Sequence, residues 1–264
     1  MRMFVIDCGE LYLPRNQIIN DEIAQNNPDL SMTVPVSCYL VEHPVGWILF
    51  DAACDPEGYS KNWPEAFKAS PYVVENNMYL PQRLQELGVE PDDIAYVVAS
   101  HIHLDHGGCL HLFKKAKIFV NETELTTTLE TYINGGDLNA HVPSDVQHWI
   151  DADLNWEKVS EPTKIINPFE NLTIYNFGPG HAWGMLGLLV NLKESGNFLL
   201  VSDAIYCREN IGPPIILPGI IFDPEGYVKT MKEIEVIAKK ENAEIVCGHD
   251  LAQFQNLKKR EILT

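Results

Sequence analysis

The run Ser100-His101-Ile102-His103-Leu104-Asp105-His106-Gly107-Gly108 sets three imidazoles and a carboxylate within six residues, after an apolar stretch and before a glycine pair. Alternate residues of an extended segment point to the same side. His101 and His103 can therefore grip one ion while Asp105 and His106, just past that segment, turn toward a second. Histidines also serve loops as plain hydrogen-bonding residues, but three of them beside an aspartate would repel one another or waste burial without a cation to organise them. One short segment thus seeds a two-metal centre, and the fold has to deliver the remaining ligands to it.

Three candidates for those ligands lie far along the chain, each at the end of an apolar stretch where side chains can converge at a sheet edge. His181 follows 172–177 and the turn Gly178-Pro179-Gly180, Asp203 closes 197–202, and His249 closes 243–248. Alone, each is as easily structural as functional; with the first cluster they make seven ligands for two ions. Six cysteines (Cys8, Cys38, Cys54, Cys109, Cys207, Cys247) show no C-x-x-C pair and no zinc-finger spacing, so they read as buried reduced thiols. Cys109 follows His106 by three residues, but the nearby ligands already suffice. His43, His111, His141 and His148 have no strand-end setting and read as ordinary, His111 within an expected helix over 108–113.

At 264 residues and 45% hydrophobic content the chain can build one large core, and a single domain over 1–264 is expected. Apolar, β-branched runs at 36–41, 47–50, 94–99, 117–120, 172–177, 186–192, 198–201 and 244–246 read as strands. Helices are expected over 81–87, 122–132 and 224–240, the last capped by Asp223 with Pro224 at its first position and Tyr227, Met231, Ile234 and Ala238 along one face. Segments 56–80 and 134–168 lack clear periodicity and read as surface insertions able to line a site. The whole is an α/β protein of layered sheets with helices outside.

A formal charge of −18, from 37 acids against 19 bases, repels phosphate backbones and anionic lipid surfaces, so neither nucleic acid nor a membrane is an expected partner. The opening residues are broken at once by Asp7 and Glu10, unlike a signal peptide, and no uncharged apolar run of membrane-spanning length occurs. A cytoplasmic protein is expected.

The H-x-H-x-D-H pattern of His101, His103, Asp105 and His106, with the later His181, Asp203 and His249 in order, resembles the metallo-β-lactamase superfamily. Similarity is closest to its N-acyl-homoserine lactonase branch, through Pro35-Val36-Ser37-Cys38-Tyr39-Leu40, Glu90-Pro91-Asp92-Asp93 and Asp203-Ala204-Ile205-Tyr206. The resemblance implies an αββα four-layer sandwich with two metals at the edge between its sheets. One would be held by His101, His103 and His181, the other by Asp105, His106 and His249, with Asp203 bridging. Zinc suits these donors, though iron, manganese or cobalt fit the same set. The implied reaction is opening of an N-acyl-homoserine lactone by a metal-bridging hydroxide. Tyr206 would donate to the developing oxyanion and Asp105 would pass a proton to the leaving oxygen.

The alternative is a thioester or other ester hydrolase of the glyoxalase II type, for which no basic cluster is evident. A monomer or homodimer acting on a small lactone or ester is expected. Two features depart from the usual pattern: Asp51-Ala52-Ala53, where a threonine and glycine often follow the aspartate, and Trp183, where a proline is usual. Asp51 reads equally as a partner of a ligand histidine or a turn cap. Two apolar sets, 215–221 and Trp63, Phe67, Tyr72 and Tyr79, could wall an acyl groove or simply pack.

Overall fold

A computed structural model describes residues 1–68, 70–160, 164–260 and 262–264. Its strands are β1 (Arg2–Pro14), β2 (Ser31–His43), β3 (Gly46–Phe50), β4 (Tyr72–Val73), β5 (Ile94–Val98), β6 (Lys117–Asn121), β7 (Asn155–Val159), β8 (Ile165–Phe169), β9 (Leu172–Gly178), β10 (Met185–Leu192), β11 (Gly196–Ser202), β12 (Ala243–Cys247) and β13 (Ile262–Leu263). They form two sheets. The first has the order β13-β1-β2-β3-β5-β6-β7, with β4 added on β1; the second has the order β12-β11-β10-β9-β8.

The central strands of both sheets are apolar on both faces because both faces are covered. Along β3, Ile48 and Phe50 enter the layer between the sheets while Leu49 faces the other way; along β11, Phe198 and Leu200 point inward while Leu199 and Val201 point out. The inner layer is completed by Tyr39, Val98, Ile174, Leu188 and Val190. The outer face of the first sheet packs Leu84, Leu125, Val146 and Trp149 from helices, and that of the second packs Tyr227, Met231, Ile234 and Ala238 from Pro224–Glu241. Helix, sheet, sheet and helix stack in that order, the αββα sandwich expected.

The long helix Pro224–Glu241 starts where Asp223 accepts from the N–H groups of Glu225 and Gly226, and stops at Asn242, which is left-handed at φ 48°. Strand direction is what builds the site. Strands β3, β5, β6 and β7 are parallel. In the second sheet β10 is antiparallel to β9 and β11, and β11 is parallel to β12, so β9, β11 and β12 share a direction. The segments after β5, β9, β11 and β12 carry the expected ligands, and the hydrogen bond from Leu186 N–H to Ser100 C=O (2.7 Å) ties the two sheets beside them.

Several expectations need correction. The first strand, β1, went unpredicted because Asp7, Gly9 and Glu10 interrupt its alternation. The structure absorbs them in a register shift between Asp7 and Glu10, with Gly9 at φ 101°. Segment 56–80 holds the helices Pro56–Lys61 and Glu65–Lys68 and the strand β4. Segment 134–168 holds the helix Pro143–Asp151, β7 and most of β8, while its residues 161–163 lie outside those described. Strand β7 shows no apolar alternation because it is a largely exposed edge strand. Over 108–113 only a short 3₁₀ turn, Leu110–Leu112, forms, because the backbone leaves the helical region at Cys109 (φ −91°, ψ 9°) and again at Phe113 (φ −98°, ψ 50°). No helix among the described residues is long and apolar enough to cross a membrane.

Leu188, 1% exposed between the sheets, sets the scale of the core. Leu188→Ala is expected to lower the unfolding free energy by about 2–5 kcal/mol, because a cavity is added to the lost transfer energy. Val236→Ala, at a position 67% exposed, should stay within about 0.5 kcal/mol. Urea denaturation of both variants measures the contrast.

Candidate metal centre

All seven expected ligands meet at one edge of the sandwich and are nearly inaccessible to water, His101 at 0% and Asp105 at 7% exposure being the extremes. His103 precedes the short helix Leu104–Gly107, whose first turn carries Asp105 and His106, so the chain bends between the first pair of histidines and the second pair of donors. One set gathers His101, His103 and His181, and another Asp105, His106 and His249; within each set, one donor atom per residue lies within 4.8 Å of the others. Asp203 stands between the sets. Its Oδ1 is 3.4 Å from His106 Nε2 and 3.3 Å from His249 Nε2, while its Oδ2 is 3.4 Å from His181 Nε2 and 3.9 Å from His101 Nε2.

For three of these histidines the ring nitrogen turned away from the centre has a hydrogen-bond partner, which fixes which nitrogen faces inward. His249 Nδ1 donates to Pro35 C=O (3.0 Å), His101 Nδ1 meets Ser100 Oγ (3.0 Å), and His106 Nδ1 donates to Asp51 Oδ2 (2.9 Å). Asp51 also accepts from Ser100 N–H (2.7 Å), Ser100 Oγ (3.0 Å) and Ser202 Oγ (3.1 Å). Of the two readings of Asp51, the partner of a ligand histidine is the one the geometry gives. Asp51 and Ser202 are left-handed at φ 63° and 49°, a conformation that costs non-glycine residues energy and here aims both side chains into one buried network.

Whether these residues fit metal ions is tested by their unpaired atoms. His101 Nε2, His106 Nε2 and Asp203 Oδ1 are buried with no hydrogen-bond partner among the described residues, and all three face the centre. Buried polar atoms without partners are rare, and a cation between them would satisfy all three. Burial, helped by neighbouring imidazoles, drives His101 and His103 well below the usual imidazole range, and burial also lowers His181, so this set is neutral as ligation requires. In the other set burial works the same way, but the charges of Asp105 and Asp203 outweigh it. They raise His106 well above its usual value and His249 to about 10, and burial of Asp203 is likewise overcome, leaving it well below the usual carboxylate range.

A cavity of about 160 Å³ opens on the centre, walled by Leu11, Leu13, Trp63, Phe67 and Ile220, with Tyr206 on its surface. A larger one of about 490 Å³ shares Phe67 and Ile220 and adds Trp183 and Phe222. Each candidate apolar set therefore supplies wall residues, Trp63 and Phe67 from one and Ile220 from the other, whereas Tyr72 is buried with its hydroxyl bonded to Cys8 C=O. Cys109 stays outside the centre, its thiol donating to Cys54 C=O.

His141, read as ordinary from sequence, is 1% exposed, bridges Glu124 Oε1 (2.9 Å) and Leu138 C=O (2.7 Å), and stacks on Trp183 at 4.7 Å. Its ring packs edge-on against His103. No spacing links it to the motif; the only signal was a glutamate on what becomes the buried face of a helix.

The metallo-beta-lactamase superfamily model matches residues 32–249. The chain is 35% identical to the N-acyl homoserine lactonase AiiB of Agrobacterium fabrum, over 97% of this chain and 96% of that one. It is 28% identical to AiiA of Bacillus thuringiensis subsp. kurstaki, over 92% and 93%. A crystal structure of B. thuringiensis AiiA with N-decanoyl-L-homoserine bound at its active site superposes with a TM-score of 0.80 at 26% identity, covering 97% of this chain and 95% of that one. An N-acyl homoserine lactone hydrolase with N-hexanoyl-L-homoserine at its catalytic metal centre gives the same TM-score and coverage at 25% identity. The chain belongs to the metallo-beta-lactamase superfamily, in its N-acyl homoserine lactonase family.

Because His106 and His249 hold protons near pH 7 in the metal-free protein and must be neutral to ligate, metal uptake is expected to expel protons and to weaken as pH falls. Calorimetric zinc titration in buffers of different ionisation enthalpy reads the number released, and a heat independent of buffer would contradict this protonation scheme.

Proposed function

We propose that the chain is a quorum-quenching lactonase: a dinuclear-metal hydrolase that opens the lactone ring of N-acyl homoserine lactones. The observation that carries this reading is Asp203, whose two carboxylate oxygens each face one histidine-containing set at the floor of an apolar-walled cavity. The AiiB and AiiA relatives, matched almost end to end, support the substrate class. In this reading residues 1–264 act as one hydrolase domain.

His101, His103 and His181 would hold one divalent cation and Asp105, His106 and His249 the other, with Asp203 between; imidazole and carboxylate donors favour zinc. Such a pair supplies Lewis acidity and activates water near neutral pH. The chain's own groups do the rest. Tyr206 Oη lies 3.0 Å from His181 Nδ1, which also faces Ile220 C=O at 3.3 Å. With Nε2 given to a metal, Nδ1 carries the proton and donates, so the phenol keeps its own O–H for the cavity. Burial, with Asp203 nearby, pushes that phenol well above its usual range and keeps it a donor, placed to bond the oxyanion as the carbonyl carbon becomes tetrahedral.

Asp105 lines the same cavity. Holding a cation requires it ionised, and in that form it could accept a proton from water and return it to the ring oxygen as the C–O bond breaks. The apolar wall of Trp63, Phe67 and Ile220 is suited to an acyl tail. Six free, buried cysteines fit a reducing, cytoplasmic setting.

Zinc-loaded protein should release acid from short- and long-chain N-acyl homoserine lactones, and metal-stripped protein should not. Tyr206→Phe should retain both metals and slow ring opening roughly ten- to a hundredfold, the worth of one hydrogen bond to a buried charge. No metal-dependent release from any lactone would move the assignment to thioesters or other esters, and an unchanged rate in the variant would remove Tyr206 from the chemistry.

A further inference from the structure

A second group of metal-competent side chains lies apart from the centre just described. Asp55, His111 and His148 each offer a donor atom within 4.8 Å of the other two, and none of them lines the cavity over Asp203. They come from three separate segments: the cap of the helix Pro56–Lys61, the turn Leu110–Leu112 and the helix Pro143–Asp151. We propose that Asp55, His111 and His148 form a further binding site for a divalent first-row transition metal, independent of the dinuclear centre.

The donors are already oriented for this. Asp55 spends Oδ1 on the N–H of Glu57 (2.9 Å), which leaves Oδ2 facing His148 Nδ1 at 3.8 Å, too far for a hydrogen bond and suited to a shared cation. His111 Nδ1 donates to Gly108 C=O (3.2 Å), which leaves its Nε2 lone pair to ligate. The His111 and His148 rings stand 5.1 Å apart and tilted, close without stacking.

A separate observation points to the same place. Asp145 is 1% exposed, and neither of its carboxylate oxygens has a hydrogen-bond partner among the described residues; His148 Nδ1 is buried and unpartnered as well. Asp145 and His148 are three residues apart on one helix and so share a face. Asp145 Oδ1 and Asp55 Oδ2 lie 3.3 and 3.2 Å from a single point, the one a Cβ on Gly58 would take. A cation held among two carboxyls and two imidazoles would offset the cost of burying them, and Lys114 on the wall of the same cavity is the competing source of positive charge.

Two imidazoles and a carboxylate select zinc, cobalt or nickel over calcium or magnesium, which prefer oxygen cages. A cavity of about 710 Å³, lined by Asp55, His111 and His148, gives the ion access and room for water to complete its coordination. Bound there, the ion would clamp the segment after β3 to the loop that follows Asp105 and His106 and to the helix behind them.

Crystals of the wild-type protein grown with excess zinc and measured at the zinc edge should show an anomalous peak among Asp55, His111 and His148 besides those at the dinuclear centre. Metal analysis after equilibrium dialysis should give one zinc fewer per chain for a His111→Gln, His148→Gln variant, with its two other metals and its thermal unfolding before zinc addition unchanged. A filled dinuclear centre with no third peak overturns the proposal without reference to any variant, and so does equal zinc content in the two proteins. Neither readout depends on lactone cleavage, so failure here is distinct from failure of the functional assignment.

Discussion

The Asp203 carboxylate is the point on which this molecule turns. It is 2% exposed, with one oxygen facing His106 and His249 and the other facing His181 and His101, so a single carboxylate faces both halves of the centre. An isolated buried carboxylate would be prohibitive, and in the metal-free protein it is tolerated because His106 and His249 carry the compensating charge. Its placement depends on close packing as well. Gly248 has no side chain where a Cβ would stand 2.2 Å from Asp203 Oδ1, and Ser202 just before it takes a left-handed conformation. Local strain, an absent side chain and a divided charge all serve one carboxylate.

That carboxylate is useful only because the architecture sends other donors to it. With both faces of the central strands covered, most side chains along them are committed to packing, and residues at or just past the strand ends are freer to be polar. Parallel strands put those ends on one side, the arrangement by which open α/β sheets collect ligands beyond the carboxyl ends of their strands. His101, His181, Asp203 and His249 each follow a strand by a few residues, and they arrive from positions up to 148 apart in the chain without any long loop reaching for the site. The inner apolar layer fixes their separation, which is why packing and chemistry cannot be varied independently here.

What could be read from the sequence follows this division. The motif segment is local, so its spacing alone brings donors together, and apolar runs announce the strands that end at His181, Asp203 and His249. Interactions whose partners are distant left no trace. Ser100 and Ser202 look like any serines after a strand, yet they share the network around Asp51; Glu124 and His141, 17 residues apart, meet in a direct hydrogen bond, the other ring nitrogen being held by Leu138 C=O. Strand β1 was hidden by the polar residues of its own bulge, and the helix Pro143–Asp151 by a composition in which the buried face holds just two apolar residues, Val146 and Trp149, beside Asp145. The family resemblance supplied the grouping of ligands, which periodicity could not.

The cavities separate shape from chemistry. A cavity of about 710 Å³ lies over Asp55 and His148, whereas the space over Asp203 is near 160 Å³. Volume alone would choose the wrong mouth for hydrolysis. The smaller cavity holds the groups that the proposed reaction needs: the His103 and His181 imidazoles, kept neutral by burial, the Asp105 carboxylate, the Tyr206 phenol kept protonated by burial, and apolar walls from Leu11, Trp63, Phe67 and Ile220. Those walls come from β1, from an inserted segment and from the stretch before Pro224–Glu241, none of which carries a ligand. On the proposed reading, acyl recognition can vary through wall residues while the strand ends that carry the histidines and Asp203 stay fixed, which is how one scaffold accommodates different substrates over the same chemistry.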